Sequence, residues 1–555
     1  MPRIKIDNKI VINYDYTARE KYWGALSKHL INKHGKDNYT DQQKVEEILS
    51  DSFHFLCDNF KQLISTEKNF SFFLYVHWLH EQSIEIYVKT LGGFQLENIS
   101  ESEFAMYRRI LKLILEQGCD IDLAWGSCPT GREVLEMDKK IQELIYLGTW
   151  MYQFADYIAF QKMVEDCHQI AFDDEDLLIV DWQFHYGQTY KQLFPMLAED
   201  YKQGTFDENA VFELRAKIEE CFSVQYDFAG GIIFEIQKHH NPNSPNLQTI
   251  QPSVLPQNLV ANYKISQELA ETFYAGLTIS RKNKLTVEEA ILKPHSIKRF
   301  MFRPILVYNI GGEERALVGK EKFAESILVL STNAIHWNSI FEEWLKLKCI
   351  QSFINKKGNE HDKILEDKIE EIVKNKGFLY CRNIKSFKQP NANNIRIDNH
   401  LAGEIDLIVV NPTLKKIFVA DAKYNRARYE IVGYRMDYTN FIKSYEPQLG
   451  KKVDWIINNK NILQEHLKIV FNKSDIDLSN YSVEGIFIIN TPTFYMLNGE
   501  YKAITLKQFD EFIEGKYEYP DLFIIDEDEE EESVMMIKHP YFKKPLIFTD
   551  EAFEQ

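Results

Sequence analysis

Residues 403–423 constrain the chain more than any other segment. They read Gly-Glu-Ile-Asp-Leu-Ile-Val-Val, then Asn-Pro-Thr-Leu-Lys, then Lys-Ile-Phe-Val-Ala-Asp-Ala-Lys. Two β-rich apolar runs flank a short Asn-Pro turn, which is the pattern of a hairpin. With Pro412 to Lys415 as the loop and Asn411 opposite Lys416, Asp406 falls directly across from Asp421. Directly opposed residues hold their Cβ atoms about 4.5–5.5 Å apart. Lys423 is two residues beyond Asp421 and therefore on the same face.

Two carboxylates at that separation repel each other unless a cation lies between them. Mg²⁺ or Mn²⁺ suits the pair, since these ions take oxygen ligands and bind through one or two carboxylates, water and substrate phosphate. A neighbouring lysine can orient the attacking water and stabilise the charge that develops on phosphorus. Hydrolysis of a phosphodiester is the expected chemistry. A third acid comes from the preceding helix, where Leu365, Ile369, Ile372 and Val373 form an apolar stripe. Glu366 borders that stripe and is expected to lean toward the metal, whereas Glu370 and Glu371 lie further round.

Leu365-Glu366, then Gly377-Phe378, then Gly403-Glu404-Ile405-Asp406, then Asp421-Ala422-Lys423 together resemble the PD-(D/E)XK nuclease superfamily, the restriction-endonuclease-like fold. The resemblance covers residues 355–515. It implies an α/β domain with a mixed central sheet flanked by helices, and Mg²⁺-dependent cleavage of DNA or, less often, RNA. It also implies metal ligation by Glu366, Asp406, Asp421 and the backbone carbonyl of Ala422, with Lys423 assisting the water. Gln448, after Tyr445, matches a glutamine that reaches the site in many members. No proline precedes the first acid, and the second is Asp where Glu is commoner. The D/E-x-K triplet alone selects nothing, since it recurs at Asp7, Asp138, Asp200 and Glu514; the apolar strand and its acid-bearing partner select Asp421.

The 555 residues suit three or four domains at roughly 150 residues each. Residues 1–240 are expected to form a mainly helical N-terminal domain, with segments 45–63, 103–115 and 134–152 apolar at helical spacing. Pro242, Pro245, Pro252 and Pro256 mark residues 241–258 as a linker or long loop. Residues 259–350 read as a mixed α/β segment joining or buttressing the nuclease domain, with strands at 302–308 and 326–330 and a turn at Gly311-Gly312. Residues 351–520 read as the nuclease-like domain. The order there is a helix at 362–376, strands at 378–384, 404–410 and 416–423, a helix at 438–458, a strand at 485–490 and a helix at 506–514. Residues 521–555 form an acidic C-terminal segment whose run at 526–532 is expected to be solvated.

The formal net charge is −18, yet residues 351–460 hold 20 Lys and Arg against 14 Asp and Glu. A basic island in an acidic chain is a candidate phosphate-binding footprint. The acidic remainder argues against gripping DNA over the whole surface, since phosphate affinity comes from Lys and Arg. It favours narrow or gated access, a homo-oligomer or a protein partner. Hydrophobic content of 45% and charged content of 27% exclude a mostly disordered or collagenous chain. No apolar leader or membrane-length segment is expected. The seven cysteines, Cys57, Cys119, Cys128, Cys167, Cys221, Cys349 and Cys381, form no C-x-x-C. That spacing suits a cytoplasmic protein with neither a zinc site nor a disulfide framework.

Four other motifs attract a functional interpretation and a plainer one. Residues 126–131 have P-loop spacing, but Arg132-Glu133 stand where Lys and Ser/Thr are required, so a plain loop is expected. His77, His80 and Glu81 have zinc-peptidase residue types in the wrong order, among aromatics that suit packing. Asp181, His185 and Tyr190 suit a core cluster better than a ligand site. Arg299 and Arg303 alternate with aromatics and suit either nucleic-acid contact or buttressing of the nuclease core.

The expected function is a metal-dependent endonuclease, acting on DNA ahead of RNA, with the N-terminal region recognising substrate, sensing a trigger or binding a partner. A large architecture of this type, lacking helicase motifs, is similar to nucleases of bacterial restriction or anti-phage defence, an analogy of fold alone. The alternatives are an RNA-directed nuclease, for example on tRNA, and a catalytically silent nucleic-acid or protein-binding module on the same fold. The intact Asp406, Asp421 and Lys423 set argues against the silent form.

Overall fold

The computed structural model describes residues 3–13, 16–126, 129–198, 207–240, 249–390, 393–398, 402–428, 430–526 and 533–544. The chain divides into two compact units. One comprises residues 1–158, 170–180 and 206–357, the other residues 159–169, 181–205 and 358–555. The expected division into 1–240, 259–350 and 351–520 is therefore redrawn. The first two regions share one unit because Asp122–Leu123 and Thr249–Ile250 enter the same sheet as Ile305–Ile310 and Glu313–Val318. Two short pieces before residue 206 join the second unit, where Phe160 packs edge-on against Trp182 and Phe494.

The first unit is largely helical, with long helices at Gln42–Ser65, Phe70–Leu91 and Glu101–Gly118. Asp41 and Asn69 cap two of them by accepting backbone N–H groups, and Ser100 with Glu103 forms a reciprocal capping box. No described helix is long and apolar enough to cross a membrane. The Gly311-Gly312 turn closes the hairpin of Ile305–Ile310 and Glu313–Val318, with φ of +62° and +85°. A two-residue hairpin turn of that kind needs positive φ at both positions.

Three expectations for this region are corrected. Residues 326–330 are not a strand; they lie within the helix Lys320–Trp337, whose Ser326, Ile327 and Leu330 are buried. A short continuous apolar run has no periodicity that separates a core strand from a core helix. The proline-rich stretch is not wholly a linker: Thr249–Ile250 is a strand and Val254–Tyr263 a helix. Pro256 is in that helix's first turn, where no intrahelical N–H is lost. Residues 241–248, with Pro242 and Pro245, lie outside the described residues. A disulfide, Cys221–Cys349, joins the helix Glu208–Phe222 to the helix Lys348–Asn375. Cysteines 128 residues apart give no sequence sign of pairing. Cys57, Cys119, Cys167 and Cys381 are free and buried, and Cys128 lies outside the described residues.

The charged side chains in this unit's core are paired rather than exposed. Arg299 donates through Nε to both carboxylate oxygens of Glu116 at 2.9 Å, and Arg303 clamps Glu343 at 2.8–3.0 Å. Both arginines thus buttress this unit, not the domain expected at residues 351–520. His77 and His80 are fully buried against Phe300, and burial depresses the His77 pKa to about 3, so His77 packs as a neutral ring. Neighbouring Glu81 accepts the backbone N–H groups of Glu321 and Lys322 at the head of the helix Lys320–Trp337.

Burial pushes the Glu81 pKa from 4.5 to about 8, against the pull of those N–H groups. Below pH 4.5 both folded and unfolded carboxyls are protonated. Between 4.5 and 8 only the unfolded one ionises, so this group's contribution to stability falls as pH rises through that window. Glu81→Gln is expected to remove that dependence and to exceed wild type above pH 8 by on the order of a few kcal/mol. Urea unfolding at pH 5, 7 and 9 checks it, and parallel curves for the two proteins contradict it.

The second unit is built on a five-stranded mixed sheet. Its elements in chain order are α1 (Lys348–Asn375), whose residues from Gly358 on belong here, β1 (Leu379–Ile384), β2 (Ile405–Asn411), β3 (Lys416–Lys423), α2 (Ile431–Asn440), α3 (Glu446–Asn458), α4 (Lys460–Phe471), β4 (Ser482–Ile489), β5 (Lys502–Thr505) and α5 (Leu506–Ile513). The strand order is β1-β2-β3-β4-β5. The first two pairings are antiparallel and the last two parallel. The α1 helix ends before Gly377, which takes φ +70°. Asn411 pairs with Lys416, and the ladder runs to Leu407 opposite Ala420, one step before Asp406 and Asp421. The Asn411 carboxamide holds the loop by accepting the N–H groups of Thr413 and Leu414.

The two faces of this sheet differ. On one, Leu365, Ile369 and Val373 of α1 and Phe509, Phe512 and Ile513 of α5 pack on Leu407, Val409, Phe418, Ala420, Ile486 and Ile488. Alternation puts Asp406, Asp421 and Lys423 on the opposite face, which α3 covers. Gly485 of β4 lets α3 approach: a Cβ there would lie 2.7 Å from Val453. The helix α4, the strand β5 and the hairpin of Leu522–Asp526 with Ser533–Ile537 were not anticipated as elements. Asp526 closes the first of those hairpin strands. The acidic run from residue 527 to 532 lies outside the described residues.

Candidate active site

Asp406, Asp421 and Lys423 meet at the end of the sheet where β3 and β4 finish and β2 begins. Ligands of open α/β sheets bind beyond the carboxyl ends of parallel strands. Asp421 is fully buried. The Asp406 Oδ2 accepts the backbone N–H of Ala422 at 2.9 Å, which locks the first acid against the second strand. Burial, reinforced by the charge of Asp421, raises the Asp406 pKa to about 6; Lys452, Lys423 and the Ala422 N–H oppose that rise. The Lys423 Nζ lies 3.4 Å from Asp421 Oδ2 and 4.9 Å from the centre of the Tyr445 ring. A cation over an aromatic face is held in place without surrendering its charge.

A fourth residue, Lys452 of α3, completes the cluster and was not anticipated. Its Nζ is 2.5 Å from Asp421 Oδ1 and 3.9 Å from Asp406 Oδ1, and the side chain is only 8% exposed. The sequence carries a faint sign of it. Leu449, Val453 and Ile456 form the buried stripe of α3, and Lys452 borders that stripe, facing the acid-bearing strands. A π-helical turn, Phe441–Tyr445, precedes α3 and carries Tyr445; such turns recur at functional sites. Phe441 stacks on Tyr495 at 4.4 Å, anchoring the turn.

Two expected site residues are placed differently. Glu366 does not join the Asp pair. Its Oε2 accepts from Arg382 Nη2 at 3.2 Å and Asn383 Nδ2 at 3.3 Å. The physical reason is that α1 packs on the other face of the sheet from Asp406 and Asp421. Among the described residues, the groups of three or more His, Cys, Asp or Glu with ligand atoms within 4.8 Å do not include these three acids. Gln448 is exposed on the first turn of α3, and Lys452, one turn further on, reaches the carboxylates in its stead.

The donors that suit a divalent cation are therefore the Asp406 and Asp421 carboxylates. These are hard oxygens of the kind Mg²⁺ and Mn²⁺ prefer. The Asp421 Oδ2 is buried and accepts no hydrogen bond within the described residues; the Lys423 ammonium faces it at 3.4 Å, so the carboxylate keeps accepting capacity for a further cation.

The other motifs do not form comparable sites. Residues 127 and 128 of the P-loop-like stretch lie outside the described residues, and Gly131 opens the helix Gly131–Met163. The Asp181 carboxylate caps the N–H of Trp182, His185 Nε2 meets the Tyr541 carbonyl at 3.2 Å, and Tyr190 stacks on Trp182, as a packed cluster would. Comparison of the chain with protein-family profiles, curated proteins and solved structures finds no match.

Proposed function

We propose that the second unit is a restriction-endonuclease-like domain and that this protein is a metal-dependent phosphodiesterase acting on nucleic acid. One observation carries the proposal: a buried Asp421 opposed by Asp406, with Lys423 on the same face, at the carboxyl end of β3 in a mixed five-stranded sheet. Two buried acids side by side, answered by two lysines and with the Asp406 carboxyl pushed up in pKa, are the kind of titratable cluster that marks a functional site.

A bound Mg²⁺ or Mn²⁺ would supply Lewis-acid activation of water and neutralise phosphate charge. Asp406 and Asp421 would hold it, with the Ala422 carbonyl as the third donor. Lys423 is partly exposed and braced by Tyr445 and Asp421. It is positioned to orient the attacking water and to stabilise the negative charge that grows on the phosphoryl oxygens. Glu366 fits a supporting role, fixing Arg382 and Asn383 on the neighbouring strand. Basic residues between 351 and 460 suit a polyanionic substrate.

The test is incubation of supercoiled plasmid, single-stranded DNA and structured RNA with the full chain in Mg²⁺, Mn²⁺ or EDTA. Cutting with metal and none in EDTA is expected, and the preferred substrate decides between DNA and RNA. Cutting in EDTA overturns the metal requirement. No cutting of any substrate, including in cell extract, overturns the enzyme and favours a binding module on the same scaffold.

A further inference from the structure

Asp421 is completely buried and Asp406 three-quarters so. A lone carboxylate in such a place is strongly destabilising unless a cation answers it. The Lys452 Nζ supplies that answer, 2.5 Å from one acid and 3.9 Å from the other. Lys423 leans on Asp421 from the side of Oδ2 instead, at 3.4 Å. The two lysines thus divide the Asp421 carboxylate, and only Lys452 touches both acids.

We propose that Lys452 is a resident counter-ion, occupying the position between Asp406 and Asp421 that a divalent cation must take, so that this lysine sets the protein's affinity for metal. The proposal rests on the metal-dependent nuclease described above. Two features of the side chain suit exchange. The ammonium is a point charge on a flexible four-carbon stem, so exchange calls for a change of rotamer and no shift of α3. An octahedral Mg²⁺ needs oxygens at about 2.0–2.1 Å, and an ammonium against Asp421 Oδ1 blocks that approach by volume and by like charge. Lys452 thereby closes the position, and with Lys423 beside it the two ammoniums match the charge of the two carboxylates before any metal arrives. A neutral side chain of equal length at position 452 would leave the carboxylates open to metal and repelling one another without it.

Calorimetric titration of Mn²⁺ into the full chain tests this, comparing wild type with Lys452→Met, Lys452→Gln and Asp421→Asn. Both Lys452 variants are expected to bind Mn²⁺ at least about tenfold more tightly than wild type, and Asp421→Asn to lose binding. In EDTA the Lys452 variants are expected to melt below wild type and to regain the difference in Mn²⁺; a variant that folds only with Mn²⁺ supports the proposal equally. Equal or weaker binding by both Lys452 variants, with wild type binding, overturns the counter-ion and leaves the metal site standing. Variants that stay unfolded in excess Mn²⁺ also overturn it, because a displaceable counter-ion is replaceable. Absence of binding in wild type and Lys452 variants alike overturns the metal site itself.

Discussion

Asp421→Asn is expected to abolish metal-dependent cleavage, by at least about a thousandfold, because one of the two charges proposed to hold the metal is lost at nearly constant volume. Volume alone suggests that the fold is untouched, and the structure argues otherwise. Asp421 is the partner of a buried ammonium, Lys452, at 2.5 Å. Removing it leaves Lys452 with Asp406 at 3.9 Å and is expected to lower stability by about 3 kcal/mol, as breaking a buried pair does. Single-turnover cleavage together with urea unfolding separates the two effects. Adding Lys452→Met to Asp421→Asn is expected to recover most of the stability and none of the activity. Full activity in Asp421→Asn would remove the residue from the site.

The second large effect lies in the first unit and concerns folding alone. Glu116 accepts two bonds from Arg299 and the backbone N–H of Phe300 at 2.7 Å, with both side chains of the ion pair at most 5% exposed. Glu116→Ala would strand a buried guanidinium and is expected to cost about 3–5 kcal/mol. Replacing both members, Glu116→Leu with Arg299→Met, is expected to cost far less, since no unpaired charge is left. Urea midpoints of the single and double variants measure it. A single variant within 1 kcal/mol of wild type would contradict the structure's account of this pair, given that surface changes typically stay below about 0.5 kcal/mol.

How far the sequence revealed this molecule depends on whether the information was local. The hairpin of β2 and β3 was legible because period-2 alternation and an Asn-Pro turn leave one register that buries Leu407, Val409, Phe418 and Ala420. Gly377 and the Gly311-Gly312 pair were legible because positive φ selects glycine. Residues 326–330 misled because β-branched and leucine-rich runs suit a buried helix as well as a strand. Lys452 was hidden by its distance along the chain: the contact with Asp421 spans 31 residues and depends on how closely α3 settles on the sheet at Gly485. Glu366 was misplaced because its helix's apolar stripe says which side is buried, not which face of the sheet receives it. The Cys221–Cys349 pairing across 128 residues is of the same kind.

Lys423→Ala probes most directly the catalytic site proposed for Asp406, Asp421 and Lys423. That side chain is only 19% exposed, yet it is not the main partner of Asp421, which Lys452 neutralises. Its removal is therefore expected to leave the melting temperature close to wild type. Side-by-side cleavage rates in Mg²⁺, on whichever substrate the wild type prefers, are expected to fall by at least about a hundredfold in Lys423→Ala. Equal rates in the two proteins, with both folded, would contradict the assignment of this cluster as the place where phosphodiesters are cut.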